Sequence, residues 1–206
     1  MRFSDESLEL SGRKVIIARI ISRLTGAPLI NLYFGAIMIF YAPSGTLGHI
    51  FTPLTAFVFC LALMVVLPIV PILYDAWRGR IDLDVSSQNT RTKYFGFAIF
   101  CYIIAFGIYY FTSSVIMYSF AGAYIGVTTG VMVANFRTKV SVHTAGISGP
   151  GTALMIVYGI PAMIVIVVWI LVVWSRITLE QHTLVQGILG MALGVAITIP
   201  VYILLY

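Results

Sequence analysis

Charged side chains divide this chain into long apolar stretches. Asp, Glu, Lys and Arg fall in four clusters: Arg2 to Arg23, Asp75 to Lys93, Arg137 with Lys139, and Arg176 with Glu180. Between them, residues 24–74, 94–136, 140–175 and 181–206 carry no charge. A charge at mid-bilayer depth costs about 2.5–3.5 kcal/mol even on the lenient insertion scale, so uncharged stretches of this length mark membrane-embedded segments. A spanning helix needs about 20 residues at about 1.5 Å each. The first stretch, broken by Pro43-Ser44-Gly45, therefore holds two spans, and the second, with a turn near Thr112-Ser113-Ser114, holds two more. The last stretch holds one.

The third stretch decides the topology. As one helix, 140–175 would be about 54 Å long; as a hairpin broken at Gly159-Ile160-Pro161 it has arms of about 15 residues. The hairpin is favoured, because an even number of crossings in each of the first three stretches returns every charged cluster to one side. The expectation is an all-α polytopic bundle of six to seven spans, seven when the hairpin is counted, with residues 1–206 as a single integral membrane domain. Short hairpin arms are tolerable where one end is buried in protein beside a hydrated site. Within the N-terminal tail 1–24, segment 8–24 reads as an interfacial helix with Val15, Ile16, Ile20 and Leu24 on one face. A solvated basic tail is the alternative.

Composition sharpens this picture. Of the 206 residues 60% are apolar and only 9% charged, whereas soluble domains carry about 25% charged residues, so an ordinary globular protein is excluded. The mean hydropathy of +1.02 agrees. The net charge of +5 reads as a topology signal, not as a nucleic-acid surface: with all 12 Lys and Arg on one side, the positive-inside rule puts that side in the cytoplasm of a cell-membrane protein. Cys60 and Cys101 lie in apolar runs, where a thiol behaves as a small hydrophobe. No cleavable leader pattern precedes the first apolar run, so a retained helix is expected to direct insertion.

Three polar constellations face the same aqueous boundary: Asp82 to Arg91, Arg137 to His143, and Ser175 to Gln186. Ionisable groups at a membrane edge are functional candidates. On a helix beginning near His182, Gln186 lies one turn further on, where its amide can bond one imidazole nitrogen and leave the other free. Ser141 and His143 sit at the mouth of the following helix, a place suited to phosphate.

These residues resemble the type-2 phosphatidic acid phosphatase superfamily, whose motifs read Lys-x6-Arg-Pro, Pro-Ser-Gly-His and Ser-Arg-x5-His-x3-Asp. Ser175-Arg176-x5-His182-x3-Gln186 matches the third except at its last residue. Ser141 and His143 match the second in part, and Arg91 matches the first, with Asp84 where the Lys would stand and Thr92 where the Pro would stand. Lys139-Val140-Ser141-Val142-His143 and His182-Thr183-Leu184-Val185-Gln186 also resemble the patterns of a small, divergent branch. The resemblance covers about half of the chain.

It implies a lipid phosphatase acting through phosphohistidine. His182 would be the nucleophile, His143 the acid for the leaving oxygen, and Gln186 the orienting partner of His182. Arg91, Arg176 and Ser141 would hold the phosphate, and Lys139 would supply the cation lost at Asp84. The substrate would be a polyprenyl phosphate, a polyprenyl diphosphate or phosphatidate, with no metal and no cofactor. Two other readings stand beside it: a Mg²⁺-dependent intramembrane prenyltransferase using Asp82 and Asp84, and a non-enzymatic scaffold or lipid-binding protein. Gly122, Gly126 and Gly130, like Gly187, Gly190 and Gly194, read as helix-packing positions. Trp77, Tyr94 and Trp174 are expected in an aromatic belt.

Overall fold

A computed structural model describes residues 1–206. Helices α1 (Arg13–Leu24), α2 (Ala27–Phe40), α3 (Pro53–Cys60), α4 (Leu67–Trp77), α5 (Gln88–Phe111), α6 (Val115–Asn135), α7 (Val142–Tyr158), α8 (Val165–Thr178) and α9 (Leu184–Leu205) make an all-helical bundle. A π-helical turn at Leu61–Val66 joins α3 to α4, and a 3-10 turn at Ile160–Ile164 leads into α8. From α2 onward the chain makes seven passes. Five are long and apolar enough to cross a membrane, and a sixth arises if α1 and α2, bent by 57°, count as one span. The remaining pass, α7, has 17 residues. It is therefore about 25 Å long, short of the roughly 30 Å hydrocarbon layer.

Local chemistry explains the breaks. Thr52 caps α3, its hydroxyl taking the Thr55 N–H at 3.2 Å, and Pro53 fills the first turn, where no N–H is missed. Pro68 has no N–H to offer the Met64 carbonyl four residues back. Asn31 of α2 donates to that carbonyl at 2.5 Å and to the Tyr102 hydroxyl at 3.2 Å, so a polar side chain in an apolar run satisfies a proline-broken helix. The hairpin turns where expected, at Gly159, whose φ of +67° suits glycine.

The α7 arm is the most enclosed helix, with Thr144, Ala145 and every residue from Ile147 to Leu154 buried. Its tight partner is α9. A Cβ on Gly190 would lie 2.6 Å from the Ser141 carbonyl, and one on Gly194 would lie 2.8 Å from the Ala145 carbonyl. Only glycine permits this approach. On the other side of α9, a Cβ at Gly122, Gly126 or Gly130 of α6 would strike Leu205 or Ile197. The glycine rows are packing devices, as read from the sequence.

All four charged clusters meet at one end of the bundle, while the turns at Thr46 and Ser113 meet at the other, where Ile116 N–H donates to the Thr46 carbonyl. The interfacial segment differs in detail from expectation. Its helix starts at Arg13, not at residue 8, and Val15 is buried against Leu179, leaving Ile16, Ile20 and Leu24 exposed. Tyr94 also departs from the belt: it is buried, and its hydroxyl donates to Asp75 at 2.6 Å. Asp75 further accepts Lys93 at 2.7 Å and Arg80 at 3.1 Å, lashing α4 to α5.

Candidate active site

The spacing from Arg176 to Gln186 has a local cause. At the end of α8, Gln181 N–H returns to the Arg176 carbonyl at 3.1 Å and Glu180 N–H to the Ile177 carbonyl at 2.9 Å. This is a Schellman turn, with Glu180 in its left-handed position at φ +55°. His182 N–H also reaches the Arg176 carbonyl, at 3.3 Å, and α9 then begins at the Thr183 cap. Five intervening residues are thus one helix stop, and they fold His182 back onto the helix end that carries Arg176. Because glycine accepts φ > 0 without steric cost, Glu180→Gly is expected to raise stability by about 0.5–1 kcal/mol. A rise in the thermal unfolding midpoint would register it; a fall would mean that the Glu180 side chain holds the turn.

Gln186 has two roles, one of them absent from the sequence reading. Its Oε1 accepts the Thr183 N–H at 3.2 Å, while Gln186 N–H donates to Thr183 Oγ1 at 3.3 Å, a reciprocal capping box. The same Oε1 lies 3.2 Å from His182 Nδ1. A backbone N–H can only donate, so the capping box fixes which end of the amide faces the ring. His182 Nδ1 must then carry the proton, and Nε2 is left as a free lone pair. Thr-x-x-Gln was legible as a capping box, and reading it would have settled the tautomer.

His143 lies in the first turn of α7, whose cap is Ser141. The Ser141 hydroxyl accepts the Thr144 N–H at 3.4 Å, and the Ser141 N–H donates to the Gln186 carbonyl at 3.3 Å, so the starts of α7 and α9 are bonded together. The Val142 and His143 N–H groups, the first of the helix, have no acceptor in the protein. They form a donor pair of the kind that binds phosphate. Ser141 itself is fully buried and committed to the cap, so its expected direct hold on phosphate is replaced by this helix-organising role.

Arg91 and Arg176 are both buried, 5% and 3% exposed. Arg91 Nε donates to the Val85 carbonyl at 2.7 Å and Nη1 to the Val140 carbonyl at 3.4 Å. Val85 is held at φ +47°, a strained conformation for a β-branched residue, and Asp82 braces that loop by accepting the Ser86 N–H at 3.2 Å. Arg176 Nη1 donates to Ser22 at 2.7 Å and lies 3.5 Å from Asp84, while its Nε is buried without any partner. Sequence reading missed Ser22 and the Asp84 pairing, since α1 gives no sign of where it packs. Lys139 is partly exposed in the loop before α7, and burial, with Arg91 and Arg176 nearby, lowers its pKa.

The structure brings these groups together. His143 lies within electrostatic reach of Arg176, His182 and Arg91, and His182 within reach of Arg176, Arg91 and Lys139. Beside them a largely apolar cavity of about 480 Å³ runs into the membrane-embedded bundle between α2, α4, α5, α6 and α7. His143, Arg91, Asp84 and Ser22 are on its wall; His182, Arg176, Gln186, Lys139 and Ser141 are not.

Burial pushes the His182 imidazole down to about 4, assisted by the Arg176 charge. Its ring is therefore neutral and nucleophilic at neutral pH. An imidazole NMR titration is expected to show a midpoint near 4, and one near the ordinary 6.5 would contradict it. Since the folded value lies below the unfolded one, the stability carried by the neutral ring is intact above pH 6.5 and is lost as pH falls through about 4.

No family model, curated protein or solved structure matches this chain.

Proposed function

We propose that this integral membrane protein is a lipid phosphatase working through a phosphohistidine intermediate. One observation carries the reading. Beside His182, whose Nε2 is unprotonated, stand donors with no partner in the protein: the Val142 and His143 N–H groups and the buried Arg176 Nε. A group with several acceptor oxygens answers that set, and a tetrahedral phosphate presents them in the required fork for arginine.

His182 Nε2 attacks phosphorus in line, and the bond from phosphorus to the leaving oxygen breaks as His143, charged once the phosphate anion lies against it, protonates that oxygen. Water then attacks the phosphohistidine, giving its proton to His143, and inorganic phosphate leaves with His182 restored. Arg91, Arg176 and Lys139 balance the phosphate charge, and the chemistry draws on no metal. The cavity takes the hydrocarbon chain, which suits a polyprenyl phosphate, a polyprenyl diphosphate or phosphatidate at the cytoplasmic face of the cell membrane. Asp82 and Asp84 are spent on Ser86 and on Arg176 with Ser4, which speaks against their use as a Mg²⁺ pair in prenyl transfer.

Phosphate release from those three lipids, measured in detergent with EDTA, tests the proposal together with quenching for an acid-labile phosphoenzyme. Release with a trapped phosphohistidine is the expected result. A well-folded protein that binds the lipids yet releases nothing from any of them would instead be a non-enzymatic lipid-binding protein.

A further inference from the structure

Residues 2–7 fold over the loops that carry the site. Ser4 N–H and O–H both reach Asp84 Oδ2, at 3.4 and 2.8 Å, and the same hydroxyl lies 2.5 Å from Oε1 of Gln181, the residue before His182, so its single proton is shared between the two acceptors while the N–H stays on Asp84. Leu83 N–H donates to the Arg2 carbonyl at 3.0 Å. Asp5 pairs with Arg19 at 2.6 Å and Glu6 with Arg23 at 2.8 Å, fastening the segment to α1. Of these side chains, only Ser4 touches both the Asp84 loop and the His182 turn.

Asp84 meets Arg176 where water is nearly absent, their side chains being 6% and 4% exposed. Asp84 and Ser22 both engage Nη1, at one end of the guanidinium, so the unpartnered Nε is left on another edge. Arginine has many rotamers and binds phosphate well only when its planar fork is aimed. The aim of the Nε edge therefore depends on Asp84, and the seat of Asp84 depends on Ser4.

We propose that Ser4 and Asp84 are positioning residues of the phosphate site: Ser4 seats Asp84 against Arg176 and holds the His182 turn beside it, so that both face one phosphate. For turnover this rests on the phosphatase reading; for phosphate affinity it can be measured without turnover.

The probe is inorganic vanadate, titrated calorimetrically into the full-length protein in detergent. Ser4→Ala is expected to weaken vanadate binding about 10-fold, the scale on which loss of an outer-shell partner degrades a site, with the thermal midpoint little changed. Ser4→Thr, which keeps the hydroxyl, is expected to restore binding, and Asp84→Asn to weaken it. Glu6→Gln, which removes only a half-exposed ion pair with Arg23 and leaves the Ser4 contacts in place, is the control and is expected to bind like the native protein. Native-like affinity in Ser4→Ala, while the native protein binds vanadate, overturns the positioning role alone. No vanadate binding by the native protein overturns both this role and the phosphatase reading. Should Asp84→Asn fail to fold, Ser4→Ala with its threonine rescue decides the matter.

Discussion

On the proposed phosphohistidine route, replacing His182 by alanine is expected to lower lipid-phosphate release by about 10⁴-fold or more, because removal of a covalent nucleophile leaves only the binding and electrostatic parts of catalysis. The loss should fall on kcat, with lipid affinity within a few fold of native, since the cavity wall does not include His182. Folding should survive. His182 precedes the Thr183 cap and its buried ring makes one hydrogen bond, to Gln186, so truncation costs about 1–3 kcal/mol. His143→Gln supplies the contrast. Its loss of about 10²–10⁴-fold should shrink for a substrate whose leaving oxygen needs no proton, such as an aryl phosphate, whereas the His182→Ala loss should not. Residual release above one-hundredth of native in His182→Ala would sink the phosphohistidine route.

How much of this was legible in the chain depends on whether the cause was local. The hairpin at Gly159 and the meeting of four charged clusters followed from charge placement and from the bilayer's refusal of buried charge, and the glycine rows from their recurrence about once per helical turn. The helix stop between Arg176 and His182 was visible as a spacing, though its Schellman geometry was not, because Glu180 occupies a position where glycine usually gives the signal. Partners separated by most of the chain left no trace. Ser22 sits in the segment read as an interfacial helix and Ser4 in the charged tail before it, and nothing in either pattern says that they fold back over Asp84 and Arg176. Asp84, read as a lost cation, is the counter-ion of Arg176. Asn31 was readable in principle as an unexplained polar residue in an apolar run, with Pro68 its reason.

Gln186→Glu is expected to speed phosphate release by about 10- to 100-fold, and Gln186→Ala to slow it by about 100-fold. In a hydrolytic triad, changing the orienting Asp to an amide costs about 10⁴ in rate, but part of that loss comes from holding the wrong tautomer. Here the capping box points the amide oxygen at the ring, so the tautomer is right and only the charge is missing. A carboxylate at 186 keeps the Thr183 N–H bond, suits the first turn of α9, and stabilises the imidazolium character that grows as Nε2 attacks. It should also raise the His182 pKa from about 4, making the ring more basic, with each unit worth about 1.4 kcal/mol. Alanine removes the tautomer control and the cap together, so its rate loss should come with about 1 kcal/mol of lost stability. Steady-state rates set beside thermal midpoints separate the two roles. If Gln186→Ala loses stability but not rate, and Gln186→Glu gains no rate, then Gln186 caps a helix and does nothing for His182.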